Sequence, residues 1–241
     1  MFPPSALPLP GQVLLITDEL LAPADFLLHR FLSDHLKESK HSPALLVSVS
    51  EDVGRWKSIA GRSNVSLAAH VDSGLVGVID AMAHVVPALE NDGQRPLRAL
   101  FYAVRHKLDY PSDKKTLVIL DDVASLEWIG IPVEEVARFA RVLCALCRQR
   151  NASLVLRYHV VTPGEPDELF KRLLQLSNYH MDVCPLSSGR SGSVSGQVAL
   201  HLGPASAEPE CPLVSRNAAV HYRLTDSGSM FFDRGTGNSV L

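Results

Sequence analysis

Residues 115–122 read Lys-Thr-Leu-Val-Ile-Leu-Asp-Asp, four consecutive apolar residues running straight into two carboxylates. A short unbroken apolar run of this kind is the pattern of a strand covered on both faces. Such strands belong to parallel sheets sandwiched between helices, and ligands of open α/β sheets bind beyond their carboxyl tips. One segment therefore commits the chain to an α/β architecture and puts acid at the end where that architecture keeps its chemistry.

The remaining totals narrow the class. A chain of 241 residues, 46% of them apolar, fits one large α/β domain with a substantial core, and we expect a single domain over 1–241. The net charge of −3 excludes a general polycation, so any nucleic-acid contact needs a local basic patch or basic partners. Residues 1–10 are apolar but carry four prolines and no basic flank, which argues against a signal peptide. No run approaches the ~18–20 uncharged apolar residues of a membrane span. A soluble intracellular protein is the expectation.

Strand-like and helix-like patterns alternate along the first part of the chain. Residues 12–17 (QVLLIT) predict a first buried strand, and Pro23 suits the first position of a helix running to Glu38 on a stripe of Leu28, Phe31, Leu32 and Leu36. Residues 44–49 predict a second strand, and Gly74–Ile79 a weaker one. Residues 51–64 are mixed, with Trp56 and Ile59 as anchors. Helices are predicted over 97–108, 132–150 and 167–177, with strands at 116–120 and 153–160. Four short strand-like segments follow at 180–186, 197–202, 218–224 and 229–233, the last two joined by an Asp226-Ser227-Gly228 turn. The Gly-, Ser- and Pro-rich stretches 187–196 and 203–217 are expected to be mobile loops. The expected architecture is an α/β core at 11–186 on a largely parallel sheet, with an antiparallel β extension at 196–241.

Asp121 and Asp122 stand where P-loop nucleotide enzymes keep the carboxylate that organises Mg²⁺. The partner motif G-x-x-x-x-G-K-[ST] occurs nowhere in the chain. A phosphate cradle needs free backbone N–H groups, glycines and a lysine. The loop after the first strand instead aligns Asp18 and Pro23 with the glycines, and Ala24 and Asp25 with the Lys and Ser/Thr positions. Its carboxylates would repel a triphosphate. Acid at a strand end also serves simply to cap the next segment, which is the structural alternative for Asp121 and Asp122.

Arg157 and His159 are polar residues on one face of a strand that should be apolar on both. A ligand- or partner-facing role is one reading; an ion pair between Arg157 and Asp121 or Asp122 is the other. Cys144 and Cys147 form a C-x-x-C inside a helical pattern, with no second ligand pair to complete a zinc site, and read as packed apolar residues. His29, His35, His201 and His221 read as structural. No metal site is expected, and Ser193 has no identifiable base for hydrolase chemistry.

Together these features resemble a RecA-like ATPase domain that has lost its phosphate loop and kept a Walker B-like strand. More closely, the chain resembles the Elongator complex protein 6 family. The matching parts are QVLLIT leading to a helix with His29-Arg30-Phe31-Leu32, and the strand ending Leu120-Asp121-Asp122. The Val194-Ser195-Gly196-Gln197 start of a late strand and the C-terminal Met230-Phe231-Phe232-Asp233-Arg234-Gly235 also match.

The resemblance implies a subunit that assembles with Elongator subunits 4 and 5 into a heterohexameric ring. That ring binds tRNA, supports wobble-uridine modification, and acts in the cytoplasm, with the nucleus as a second compartment. It implies no nucleotide held by this chain alone, while leaving ATP at inter-subunit sites open. In such a ring the loop around Arg190 is the RNA-facing candidate, and Trp56 and Trp128 are candidates for partner contact. Two other readings compete: an active NTPase that uses Asp121 or Asp122 with an unconventional phosphate site, and a stand-alone regulator that binds one partner.

Overall fold

A computed structural model describes residues 2–4, 7–38, 41–90, 95–109, 114–186, 189, 193–226 and 228–233. Its elements, in chain order, are β1 (Val13–Glu19), α1 (Asp25–Glu38), β2 (Ala44–Ser48), α2 (Val53–Arg62), α3 (Leu67–Asp72), β3 (Val76–Asp80), α4 (Ala81–Leu89), α5 (Pro96–Leu108), β4 (Leu117–Leu120), α6 (Ala124–Trp128), α7 (Val133–Gln149), β5 (Ser153–Val160), α8 (Glu168–Leu176), β6 (Tyr179–Cys184), β7 (Gly196–Leu202), a short 3-10 turn at Arg216–Ala218, β8 (Val220–Thr225) and β9 (Gly228–Phe232).

The strands lie in one mixed sheet ordered β3-β2-β4-β5-β1-β6-β7-β8-β9. Pairing is parallel from β3 through β6 and antiparallel from β6 to β9. A mostly parallel α/β sheet with antiparallel C-terminal strands agrees with the RecA-like expectation. The predicted helix near Pro23 begins at Asp25 instead, because a turn closed by Ala22 N–H on the Glu19 carbonyl intervenes.

Pleating divides the core in two, since successive strand residues face opposite sides. Val13, Leu15, Val118, Leu120, Leu154 and Leu156 pack with α4 to α8 on one side. Leu14, Ile16, Leu46, Ile119, Val155 and Met181 pack with α1 and α2 on the other. Helix α1 buries Leu27, Leu28, Phe31, Leu32 and Leu36, each contributing about 1.5–3 kcal/mol of transfer free energy when fully covered. Trp56 of α2, 1% exposed, belongs to this second core, whereas Trp128 at the end of α6 is 57% exposed. The first is core and only the second is a surface aromatic.

Two β1–β5 pairings position everything that follows. Ile16 stands opposite Arg157 and Asp18 opposite His159, so the polar residues of β5 sit beside the acid that ends β1.

Candidate site at the carboxyl ends of the strands

Arg157 is the centre of the arrangement, 2% exposed on the α1 side of the sheet. Its Nε donates to the Asp121 backbone carbonyl at 2.5 Å, and its Nη2 to Ser50 Oγ at 3.3 Å. Nη1 is ion-paired with Asp25 and lies 3.9 Å from Asp18 Oδ2. Burial lowers the guanidinium pKa and the nearby Asp18 opposes that shift. The expected pairing with the Asp121 or Asp122 carboxylate is therefore corrected. Arg157 meets Asp121 only through its main chain, and its carboxylate partners come from β1 and the start of α1.

The two strand-end carboxylates face other neighbours. Asp121 accepts from Val49 N–H at 2.6 Å, Ser48 Oγ at 2.9 Å and Glu51 N–H at 3.1 Å, so it clamps the loop after β2. Burial pushes its pKa up to about 6, against those three hydrogen bonds, with a small push from Asp122. Asp122 accepts from Ser125 N–H at 3.1 Å and Ser125 Oγ at 2.6 Å, which caps the start of α6. The capping alternative describes Asp122 alone; Asp121 instead ties the tip of β4 to the loop after β2.

His159 lies with Nδ1 2.5 Å from Asp18 Oδ1 and Nε2 3.6 Å from Asp122 Oδ2. The Asp18 contact is close but lacks hydrogen-bond alignment, since Oδ1 has no aligned donor. The imidazole stacks on Trp128 at 6.0 Å between ring centres and 15° between planes. Asp18 Oδ2 accepts Ala24 N–H at 2.7 Å, which engages a backbone donor in the β1–α1 turn.

Outside this network opens a cleft of about 370 Å³ lined by Asp25, Glu51, Asp52 and Asp122 against Arg55, Arg157 and His159. Four carboxylates there face two guanidiniums and one imidazole, so acid outnumbers base in the lining. At the tip of the β1–α1 turn, Leu20 and Leu21 are 92% and 66% exposed. Among the described residues no group of three His, Cys, Asp or Glu side chains is arranged to hold a metal ion.

Sequence reasoning missed a second polar cluster on the opposite face of the same sheet end. Thr17 Oγ1 lies 2.6 Å from His180 Nε2 and 3.2 Å from Asp182 Oδ1, and Arg216 Nε donates to Asp182 Oδ2 at 2.6 Å. These residues border a cavity of about 440 Å³ that Tyr158 and Phe170 also line. Burial lowers His180 to about 4, with Asp182 opposing. That makes it a weak base, and Asp182 is engaged by Arg216 and Thr17 rather than orienting the ring. The visible signal was the alternation itself, because Thr17 and Tyr158 must face away from Asp18 and Arg157.

The other candidates settle individually. Cys144 and Cys147 are buried thiols of α7, Cys144 pushed up to about 11 by burial and Cys147 further. His29 contacts Glu51 at 3.2 Å, His35 the Pro43 carbonyl at 3.0 Å, and the rings of His201 and His221 lie against His180 and Phe232. Arg190 lies outside the described residues.

Comparisons with known proteins converge on one family. Residues 4–226 match the family described as Elongation complex protein 6. The Elongator complex protein 6 of Danio rerio is 22% identical over 254 residues, covering 96% of this chain and 94% of that protein.

Proposed function

The chain belongs to the Elongation complex protein 6 family, and on that premise we propose that it is a non-catalytic subunit of Elongator's accessory ring. In this reading it assembles with Elongator subunits 4 and 5 into a heterohexamer and supports tRNA wobble-uridine modification by holding that ring together and contributing to tRNA binding. It works in the cytoplasm and the nucleus, and ATP, where the ring uses it, sits between subunits.

The observation that carries the non-catalytic reading is the Arg157 brace. Its guanidinium and the Asp18 and Asp25 carboxylates occupy the space beyond β1 where a phosphate loop would open. The eight residues 18–25 contain no glycine or lysine, and Pro23 removes a further donor. Asp121, the residue an active NTPase would turn toward Mg²⁺, is engaged by three donors of the β2 loop.

Two measurements test the reading. Purified chain alone is expected to show no ATP turnover and no nucleotide-induced thermal shift; turnover that Asp121→Asn abolishes would overturn it. Native mass spectrometry of the chain with subunits 4 and 5 is expected to give a heterohexamer. A one-to-one complex, or none, would favour the stand-alone regulator.

A further inference from the structure

Helices α5 and α7 pack side by side on the sheet and leave a groove along their outer faces. Its floor is apolar, made by Leu97 and Phe101 of α5 with Phe139 and Val142 of α7, and it encloses about 170 Å³. Arg95 and Arg98 stand on one wall and Arg138 on the other. Among the described residues no ion pair reaches these three arginines or the exposed Arg141 one turn further along α7. Arg98 is held in place by Tyr102, whose hydroxyl accepts from Nε and Nη2 at 3.4 and 3.3 Å.

The charge is concentrated against the trend of the molecule. The whole chain is net −3, yet α5 contains Arg98, Arg105, His106 and Lys107 and no acidic residue. Among the described lining residues the one carboxylate, Glu135, is half-buried and accepts the Leu97 N–H at 3.4 Å, so it fixes α5 to α7.

We propose that this groove docks an acidic amphipathic helix of a partner protein, which seats one large apolar side chain between α5 and α7 and sets carboxylates against Arg95, Arg98 and Arg138. Apolar anchors in a hydrophobic groove give affinity, and opposed rim charges fix orientation and speed encounter. A single-stranded RNA fits less well. The floor offers no hydrogen-bonding edge, Phe139 is buried and Phe101 half-buried rather than presented for stacking, and the exposed ring beside the groove, Tyr102, is already occupied by Arg98. The inference is independent of the site at the strand ends.

The test uses the full chain and a displayed library of helical peptides. Positions i, i+3, i+4 and i+7 vary over Leu, Ile, Phe and Ala, and flanking positions over Glu, Gln and Lys. Selection is expected to enrich Glu beside a Leu or Phe anchor. The best peptide should lose roughly tenfold or more in affinity for Arg98→Glu/Arg138→Glu, and similarly when its anchor becomes Ala, with the thermal midpoint of the variant unchanged. Should the double reversal unfold the chain, Arg98→Gln/Arg138→Gln serves in its place. No enrichment, enrichment without acid, or binding indifferent to these changes overturns the proposal. So does displacement of the peptide by a 12-nucleotide single-stranded RNA.

Discussion

Asp121 accepts three hydrogen bonds and still titrates near 6, because burial of its charge outweighs them. Its folded-state pKa lies above the value of about 3.9 in an unfolded chain, so folding holds its proton more tightly. The associated stabilisation is complete below about pH 4 and is lost as pH rises through about 6. His180, lowered to about 4, works oppositely in the same window, contributing stability above its ordinary 6.5 that is lost on acidification. The wild-type slope alone is thus ambiguous, and the difference between Asp121→Asn and wild type is diagnostic. In urea titrations from pH 4 to 7 the variant should gain on wild type by on the order of 2–3 kcal/mol, two pKa units' worth; a flat difference refutes the assignment. Arg157→Ala tests the brace. It leaves Asp18, wholly buried, without its guanidinium, and a cost of about 3–5 kcal/mol in the same titrations is expected. Arg157→Lys should recover only part, since one ammonium cannot reach Asp25, Ser50 and the Asp121 carbonyl together.

Gly203, just past β7, carries an element-scale constraint. Its N–H donates to the Asn178 carbonyl at 2.8 Å and Ala205 N–H to the Ser177 carbonyl at 3.0 Å, which folds the segment after β7 onto the start of β6. A Cβ there would stand 2.2 Å from the Ser177 carbonyl oxygen. Gly203→Ala must move backbone and should cost about 1–3 kcal/mol, read as a lowered thermal midpoint. Gly61→Ala in α2, where a Cβ meets nothing, should be neutral or stabilising by up to ~1 kcal/mol. Elements with a clear period or a continuous apolar run, such as α1, β4, α7 and β5, were legible to within two residues. Helix α2 lay in a stretch that read only as mixed, and α3, α4 and α6 were not legible. Two have only 6 and 5 residues, too few to show a period, and α4 is nearly all apolar and contains Pro87. The Asp80 cap of α4 was the one available signal. The site was half legible. Polar residues in a central strand flagged Arg157 and His159, but the pairing of Arg157 with Asp25, 132 positions away, depends on the β1–β5 register, which no local pattern encodes.

Across the whole molecule, the antiparallel strands close one flank of the sheet. Phe26 of α1 stacks on Tyr222 of β8 at 4.5 Å, and Arg30 lies over Phe231 of β9 at 5.1 Å. Removing residues 220–233 would bare the edge of β7 and uncover Phe26, so the shortened chain should self-associate in light scattering where the full chain does not. At the middle of the sheet the Arg157 brace has a mechanical meaning. One guanidinium joins the turn after β1, the loop after β2 and the tip of β4, so none of the three can shift without straining the other two. That part of the carboxyl rim therefore behaves as a stiff plate: a load applied at Leu20 or at Ser50 is shared among those three segments instead of opening a local hinge.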